Sequence, residues 1–252
     1  MTKPSRQERR LLRAAVWPFL LTLGSISPNG SPPRVNAQDA KKPVVHVFLQ
    51  LDVKSSVVEK SLQEKLPDLA ITVFGRFRDF EDGLANGRPD ALLTGLPALT
   101  LKGKKPVLQG QRNGKTTETY VLAVVNQSLD GPFSGKTIGV VDLLGREGSQ
   151  AFVSRLLKTS DVKVKRVAKI EDLLPLLEFS AADGVVLPTI MLPRLLERTQ
   201  LPVKSRELTD EPVGLCAVAV DNPATRDIVI KAFQRLDSMT KRLLSIDSWS
   251  VP

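Results

Sequence analysis

The amino-acid sequence predicts an α/β protein of two similar lobes, each a mostly parallel sheet flanked by helices. Strand-length apolar runs alternate with helix-period segments, an order that means parallel pairing with right-handed crossovers. The alternation stops at a polar, Gly/Pro-bearing break, "SLDGPFSGK" (128–136), and then starts again. One phrase is also written twice. "FEDGLANGRPDALLTGLP" (80–97) and "IEDLLPLLEFSAADGVVLP" (170–188) each run Glu-Asp, a Leu-bearing stretch, an Asp, an apolar run and a closing Pro. Each reads as a short helix, an Asp-bearing turn and the next parallel strand, with Asp90 and Asp183 bonding turn backbone.

In chain order, residues 1–37 read as a secretory signal peptide: a basic start, "MTKPSRQERRLLR", then ten apolar-rich residues, "AAVWPFLLTL", then Val35-Asn36-Ala37 at the cleavage spacing. Ten helical residues cover only about half of a bilayer core, too little for a span. "VVHVFLQL" (44–51) is a strand buried on both faces. "SSVVEKSLQEKL" follows as a helix, with Ser56 and Glu59 spaced as a capping box and Val57, Leu62 and Leu66 towards one side. "LAITVF", "DFEDGLANG" and "DALLTG" continue as strand, helix, strand. "KPVLQGQ" and "TTETYVLAVVN" read as two strands joined by an Asn-Gly hairpin turn. After the break, "KTIGVVDL", "GSQAFVSRLLK", "VKVKRV", "IEDLLPLLE" and "DGVVLP" repeat the alternation, and "TIMLPRLLER" and "LPVKSREL" extend it. "VGLCAVAV" is another buried strand, expected to pair with "TYVLAVVN" where the chain crosses between lobes. Asn222-Pro223 then opens "ATRDIVIKAFQRLDSM", expected to be the longest helix, with Asn as N-cap and Pro at its first position.

Composition narrows the chemistry. The formal charge of +9 falls once residues 1–37 are set aside, because they carry Lys3, Arg6, Arg9, Arg10, Arg13 and Arg34 against Glu8 alone. The remaining 30 basic and 26 acidic residues form no basic face interleaved with aromatics, so a preference for anions is favoured over nucleic-acid binding. One cysteine, Cys216, excludes an intrachain disulfide and sits in an apolar run, where packing is the expected role. One histidine, His46, lies inside the first strand; with a single His and a single Cys, a zinc site or a Cys-His pair lacks ligands. "GPFSGKT" (131–137) has three residues where a phosphate-binding P-loop needs four, and a strand rather than a helix follows it. Tyr120 and Trp249 are the only Tyr and Trp after the signal region, which suits a small polar or anionic ligand better than a sugar.

The phrases "FEDGLANGRPDALLTG", "FSGKTIGVVDLLGREGSQAFVSRLLK", "IEDLLPLLEFSAADGVVL" and "LPVKSRELTDEPVGLCAVAVDNPATRDIVIKAFQRLD" stand in the order found in type II periplasmic substrate-binding proteins. Over nearly the whole mature chain the sequence resembles these proteins, and among them the phosphate/phosphite/phosphonate-binding family. The resemblance implies a two-lobed clamshell with two hinge strands, a periplasmic location, no cofactor, and a small anionic solute passed to an ABC transporter permease. Phosphonate binders of this family place a Ser/Thr cluster where this chain reads "VVDLLGREGSQAF", with Ser149 as the only hydroxyl and Arg146 as a neighbouring charge.

Helix N-termini at lobe edges present free N–H groups, so Ser55, Ser56, Gly148, Ser149 and Thr189 are candidate ligand contacts. Thr94 joins them at the end of a parallel strand, where open α/β sheets bind ligands, and Tyr120 lies near the expected hinge. Arg146 is a candidate for supplying charge. Helix capping is the competing role for the turn residues. The expected partition is 38–122 plus 214–252 for one lobe and 123–213 for the other, with a monomer as the default state. Two alternatives stand beside solute capture. One is an exported enzyme of the cyclohexadienyl-dehydratase type, for which Glu147 and Asp142 are the evident acid/base carboxylates. The other is a lobe pair that binds a protein partner.

Overall fold

A computed structural model describes residues 41–50 and 53–252; the signal-peptide reading of residues 1–37 lies outside them. The chain forms β1 (Val44–Phe48), α1 (Ser55–Lys65), β2 (Ala70–Phe74), α2 (Phe77–Asn86), β3 (Ala91–Gly95), α3 (Leu96–Leu101) and β4 (Leu108–Gln111). It continues with β5 (Thr117–Val125), β6 (Thr137–Val141), α4 (Gly145–Leu157), β7 (Lys163–Val167), α5 (Leu173–Glu178), β8 (Gly184–Pro188), α6 (Leu192–Leu196) and β9 (Val203–Gly214). β10 (Cys216–Val220), α7 (Arg226–Gln234), α8 (Ser238–Leu243) and β11 (Ser248–Ser250) complete it.

The strands form two sheets, ordered β11-β4-β10-β3-β1-β2 and β7-β6-β8-β5-β9. Each contains a parallel triplet, β2-β1-β3 or β7-β6-β8, next to an antiparallel strand, β10 or β5. The fold is thus a two-lobed α/β clamshell. Side chains alternate across each strand and feed separate cores on its two faces. In the first sheet Val45, Val47 and Leu93 meet Val58 and Leu62 of α1 and Phe233 of α7, while Phe48 and Leu92 meet Phe77 and Phe80 of α2. The second sheet repeats this, with Leu122 and Val186 on one face and Val121, Val185 and Leu187 on the other. His46 sits in β1, the middle strand of the parallel triplet, 8% exposed, its ring edge-on to Phe74.

The duplicated phrase has a duplicated structural role. Asp90, just before β3, accepts Val44 N at 2.8 Å and Asn222 Nδ2 at 2.7 Å. Asp183, just before β8, accepts Thr137 N at 2.7 Å and Gln127 Nε2 at 2.9 Å. Val44 and Thr137 are the first residues of the two central parallel strands. Each Asp therefore satisfies an amide at a strand entrance and ties a distant side-chain amide to the same turn.

Several local expectations are corrected. No side chain caps α1; Glu59 instead accepts Val73 N at 2.8 Å, and Gln63 accepts Ile71 N at 3.0 Å. These two residues satisfy the outward amides of the edge strand β2, a stronger demand than a solvated helix end. Val57 is 52% exposed and Val58 is buried in its place. The Asn-Gly turn forms, with Asn113 and Gly114 at positive φ and the single bridge Arg112↔Lys115. The strands on either side of it, however, join different sheets. "TYVLAVVN" pairs with β9 rather than with the strand in "VGLCAVAV". That segment divides at Leu215, with Gly214 ending β9 and Cys216 starting β10. The chain therefore crosses between sheets at 112–116 and returns at Leu215, and the expected boundary at 122/123 falls inside β5. Asn222 does cap the turn it opens, accepting Ala224 N at 3.1 Å. The helix beyond it is shorter than expected: α7 has 9 residues against 13 in α4.

Hydrogen bonds from Val44 N and Asn222 hold the Asp90 carboxyl below its ordinary value of 3.8. Those from Gln127 and Thr137 N do the same for Asp183. A carboxyl depressed in the folded state contributes stability that is complete above the unfolded value and is lost as pH falls through the folded one. The Asp90→Asn/Asp183→Asn double variant should therefore be less stable than the parent at pH 7, with the gap narrowing by pH 3. Urea denaturation at the two pH values measures this. At the return crossing, a Cβ on Gly214 would collide with Leu96, so Gly214→Ala should cost about 1–3 kcal/mol in the same assay.

Candidate functional site

Parallel strands leave their carboxyl ends open to ligands, because the connecting loops separate there. In this fold those ends face one cleft with a narrow inner part and a wide outer part. The inner chamber, about 100 Å³, is bounded by the end of β1, the β3–α3 junction, the end of β8, α4 and the crossing segments. Phe48, Leu144, Tyr120, Phe152 and Met191 give it mostly apolar walls. The outer cleft, about 820 Å³, is lined by Lys54–Ser56, the β2–α2 turn, the end of β6 and residues 166–172. Phe48, Leu49, Gln50, Val141 and Leu143 line both parts and form the passage between them.

Polar groups in the inner chamber are few. Arg112 and Glu118 form an ion pair at 2.6 Å, each side chain 18% exposed. Burial holds the Glu118 carboxyl above its ordinary value, and Arg112 opposes that shift. Burial also drives the Tyr120 phenol far upward, so it stays neutral, and its ring meets Phe152 edge-on. Cys216 is buried, its thiol pushed up to about 12, and it points at Leu244 O, the packing role its sequence context suggests. Thr94 is 1% exposed, and its hydroxyl has no hydrogen-bond partner among the described residues. The same holds for the buried Gln50 amide nitrogen.

In the outer cleft one anion position is already filled. Asp142 Oδ1 accepts the first amide of α4, Gly145 N, at 2.9 Å, and the Ser149 hydroxyl at 3.4 Å. Its other oxygen accepts Arg166 Nη1 at 2.5 Å. An internal carboxylate thus occupies the helix start at which the sequence suggested an incoming oxyanion. On the opposite wall, Lys54 and Arg76 make no ion pair among the described residues, and neither does Lys169 across from them.

The structure brings together some of the residues singled out from sequence and not others. Thr94, Tyr120 and Ser149 line the inner chamber, and Ser55 and Ser56 line the outer cleft. Arg146 is exposed and lines neither part. Gly148 lies inside α4, pressed against Leu144 and Leu101, because that helix starts three residues earlier than expected. Thr189 faces β5, sharing a 2.9 Å bond with Thr119 and donating to its carbonyl. Glu147 is exposed outside the cleft. Sequence reasoning missed Gln50, Arg112, Glu118, Phe152 and the cations at 54, 76 and 169. A signal existed for one pair: Arg112 and Glu118 are opposite charges on either side of the Asn-Gly turn.

No protein-family model matches the chain, and no curated protein matches it in sequence. Solved structures do match in fold. The putative L-cystine ABC transporter protein from Listeria monocytogenes is 14% identical with a TM-score of 0.55, over 80% of this chain and 93% of its own. The substrate-binding protein of an amino acid ABC transporter is 18% identical with a TM-score of 0.53, over 80% and 97%. The periplasmic VFT2 domain of BvgS from Bordetella pertussis is 16% identical with a TM-score of 0.52, over 82% and 94%. The likeness is to the two-lobed type II binding-protein fold at large, not to the phosphate, phosphite and phosphonate binders in particular.

Replacing Asp142 should free the start of α4. Asp142→Ala should cost about 1 kcal/mol from the lost helix-start contact, and in return sulfate should raise its melting temperature. Thermal melts with and without sulfate check this, with the parent protein expected to show the smaller rise.

Proposed function

We propose that this protein is an exported, periplasmic solute-binding protein that captures a small anionic solute in its interlobe cleft and delivers it to an ABC transporter permease. The observation that carries this reading is the charge of the outer cleft. Among the described residues Lys54, Arg76 and Lys169 have no ion-pair partner there, while of the lining acids Asp142 is held by Arg166 and Glu171 by Arg198, leaving Asp172 alone. The first turn of α1, with Ser55 and Ser56, opens into the same space and adds its amides and partial positive charge. Low-dielectric walls such as Phe48, Phe74 and Phe77 strengthen the field between them.

The cations come from both sides of the cleft, Lys54 and Arg76 from the six-stranded lobe and Lys169 from the five-stranded one. An anion between them favours the closed arrangement over the open one, which is the differential affinity that a population shift requires. Closure would then create the surface that a permease reads. The lobes we assign to this motion are 41–111 with 216–252, and 117–214, joined by the two crossings. A compact phosphate-like group would have to bind on the α1 side, because Asp142 already holds the start of α4.

The enzyme alternative keeps one observation in its favour, the half-buried Glu118 with its raised carboxyl. Its 2.6 Å pairing with Arg112 suits a fixed structural charge better than a mobile acid. A thermal-shift screen of phosphate, phosphonates, sulfonates, carboxylates and amino acids tests the proposal. A cognate solute at a hundred times its Kd should add about 2.7 kcal/mol of stability. X-ray scattering should show a smaller radius of gyration with that solute bound. Silence across the panel would remove solute capture, and turnover of a bound compound, seen by NMR, would establish the enzyme reading.

A further inference from the structure

We infer that the captured solute carries a short, uncharged, apolar group of about three or four heavy atoms, seated in the inner chamber while its charged end stays in the outer cleft. This rests on the solute-capture reading and narrows it to a substrate class: a short-chain alkyl anion rather than a compact inorganic oxyanion.

Size comes first. The chamber measures about 100 Å³, smaller than the cavity of about 150 Å³ that takes benzene. A short branched or linear alkyl group fits it. Chemistry agrees, since Phe48, Tyr120, Leu144, Phe152, Met191 and Leu215 line it, and such walls favour groups with no hydration shell to lose. Charge agrees as well. The only ionised pair there among the described residues, Arg112 and Glu118, is closed on itself at 2.6 Å. A second charge entering the chamber would have to disrupt that pair or go unpaired.

Two unpartnered polar atoms add direction. The Thr94 hydroxyl is 1% exposed and without a partner among the described residues, on the chamber wall. Gln50, whose buried amide nitrogen also has none, stands in the passage shared by chamber and cleft. Buried polar groups are normally hydrogen-bonded. An oxygen on the solute, at the point where the apolar group meets the charged end, could satisfy both. The outer cations then lie on the solvent side of that oxygen, so one molecule spans both parts of the cleft.

The test is titration calorimetry of the purified chain with inorganic phosphate, methylphosphonate, butylphosphonate, butanoate and 1-butanol, with NMR of the Met191 methyl group as a local reporter. Butylphosphonate is expected to bind at least tenfold tighter than methylphosphonate and to move the Met191 signal. Ala98→Leu, which fills the chamber, should abolish that difference. Should that variant fail to fold, Ala98→Val, which narrows the same wall by less, should shrink the preference for butylphosphonate over methylphosphonate several-fold. Equal affinity for the methyl and butyl compounds, or an unmoved Met191 methyl, would overturn the chamber assignment and leave anion capture standing. A Met191 shift with 1-butanol while no anion binds would keep the chamber assignment and overturn anion capture. No response to any probe would overturn both.

Discussion

The architecture depends on the close approach of two chain crossings. Leu215 donates its amide to Thr116 O at 2.9 Å, and its carbonyl accepts Leu96 N at 2.9 Å. Three segments distant in sequence are thereby fixed at one point: the outgoing crossing, the return crossing and the start of α3. The approach is possible because Gly214 has no side chain where Leu96 sits. With α3 held against the return crossing, Thr94, Pro97 and Ala98 line the inner chamber together with Val213 to Cys216. Leu215 also joins the two sheets, so a residue lining the chamber is itself part of one of the two crossings.

Charge is distributed unevenly along the cleft, and the distribution follows from burial. Near the crossings, where water is scarce, Arg112 and Glu118 satisfy each other, since an unpaired buried charge would be expensive. Farther out, Asp142 is shared among the start of α4, Ser149 and Arg166. Among the described residues of the cleft, cations remain unpaired at the exposed rim, at Lys54, Arg76 and Lys169, where solvent makes this tolerable. A gradient from neutral and apolar inside to basic outside is what a solute with a greasy end and an anionic end would complement. The type II binding-protein fold supplies the cleft; these side chains give it its particular chemistry.

Much of the fold was legible because its signals are local. The doubled phrase marked two copies of a helix–turn–strand unit, and Asp90 and Asp183 make matching bonds to Val44 and Thr137. The Asn222 cap and the Asn113-Gly114 turn also formed where backbone chemistry demanded them. The capping box at Ser56 and Glu59 did not, because Glu59 and Gln63 were drawn to the open amides of β2, a demand absent from the helix's own sequence. Of the candidate contacts, Thr94, Tyr120, Ser149, Ser55 and Ser56 line the cleft, while Gly148 fell inside α4 when that helix began at Gly145. The carboxylate that holds that start, Asp142, stands three residues before Gly145, a place that leaves little trace in sequence.

By itself the sequence determined the order of strands and helices, the parallel character of both lobes and the scaffold role of the repeated Asp, because periodicity and turn chemistry act over a few residues. Only the tertiary structure decided which sheet the central strands join, that Asp142 holds the start of α4 with Arg166, and that the chamber is apolar and neutral. Those outcomes rest on contacts such as Leu215 with Thr116 and Arg166 with Asp142. Their partners lie far apart along the chain, and no local pattern encodes which of many possible partners the packed chain brings within reach.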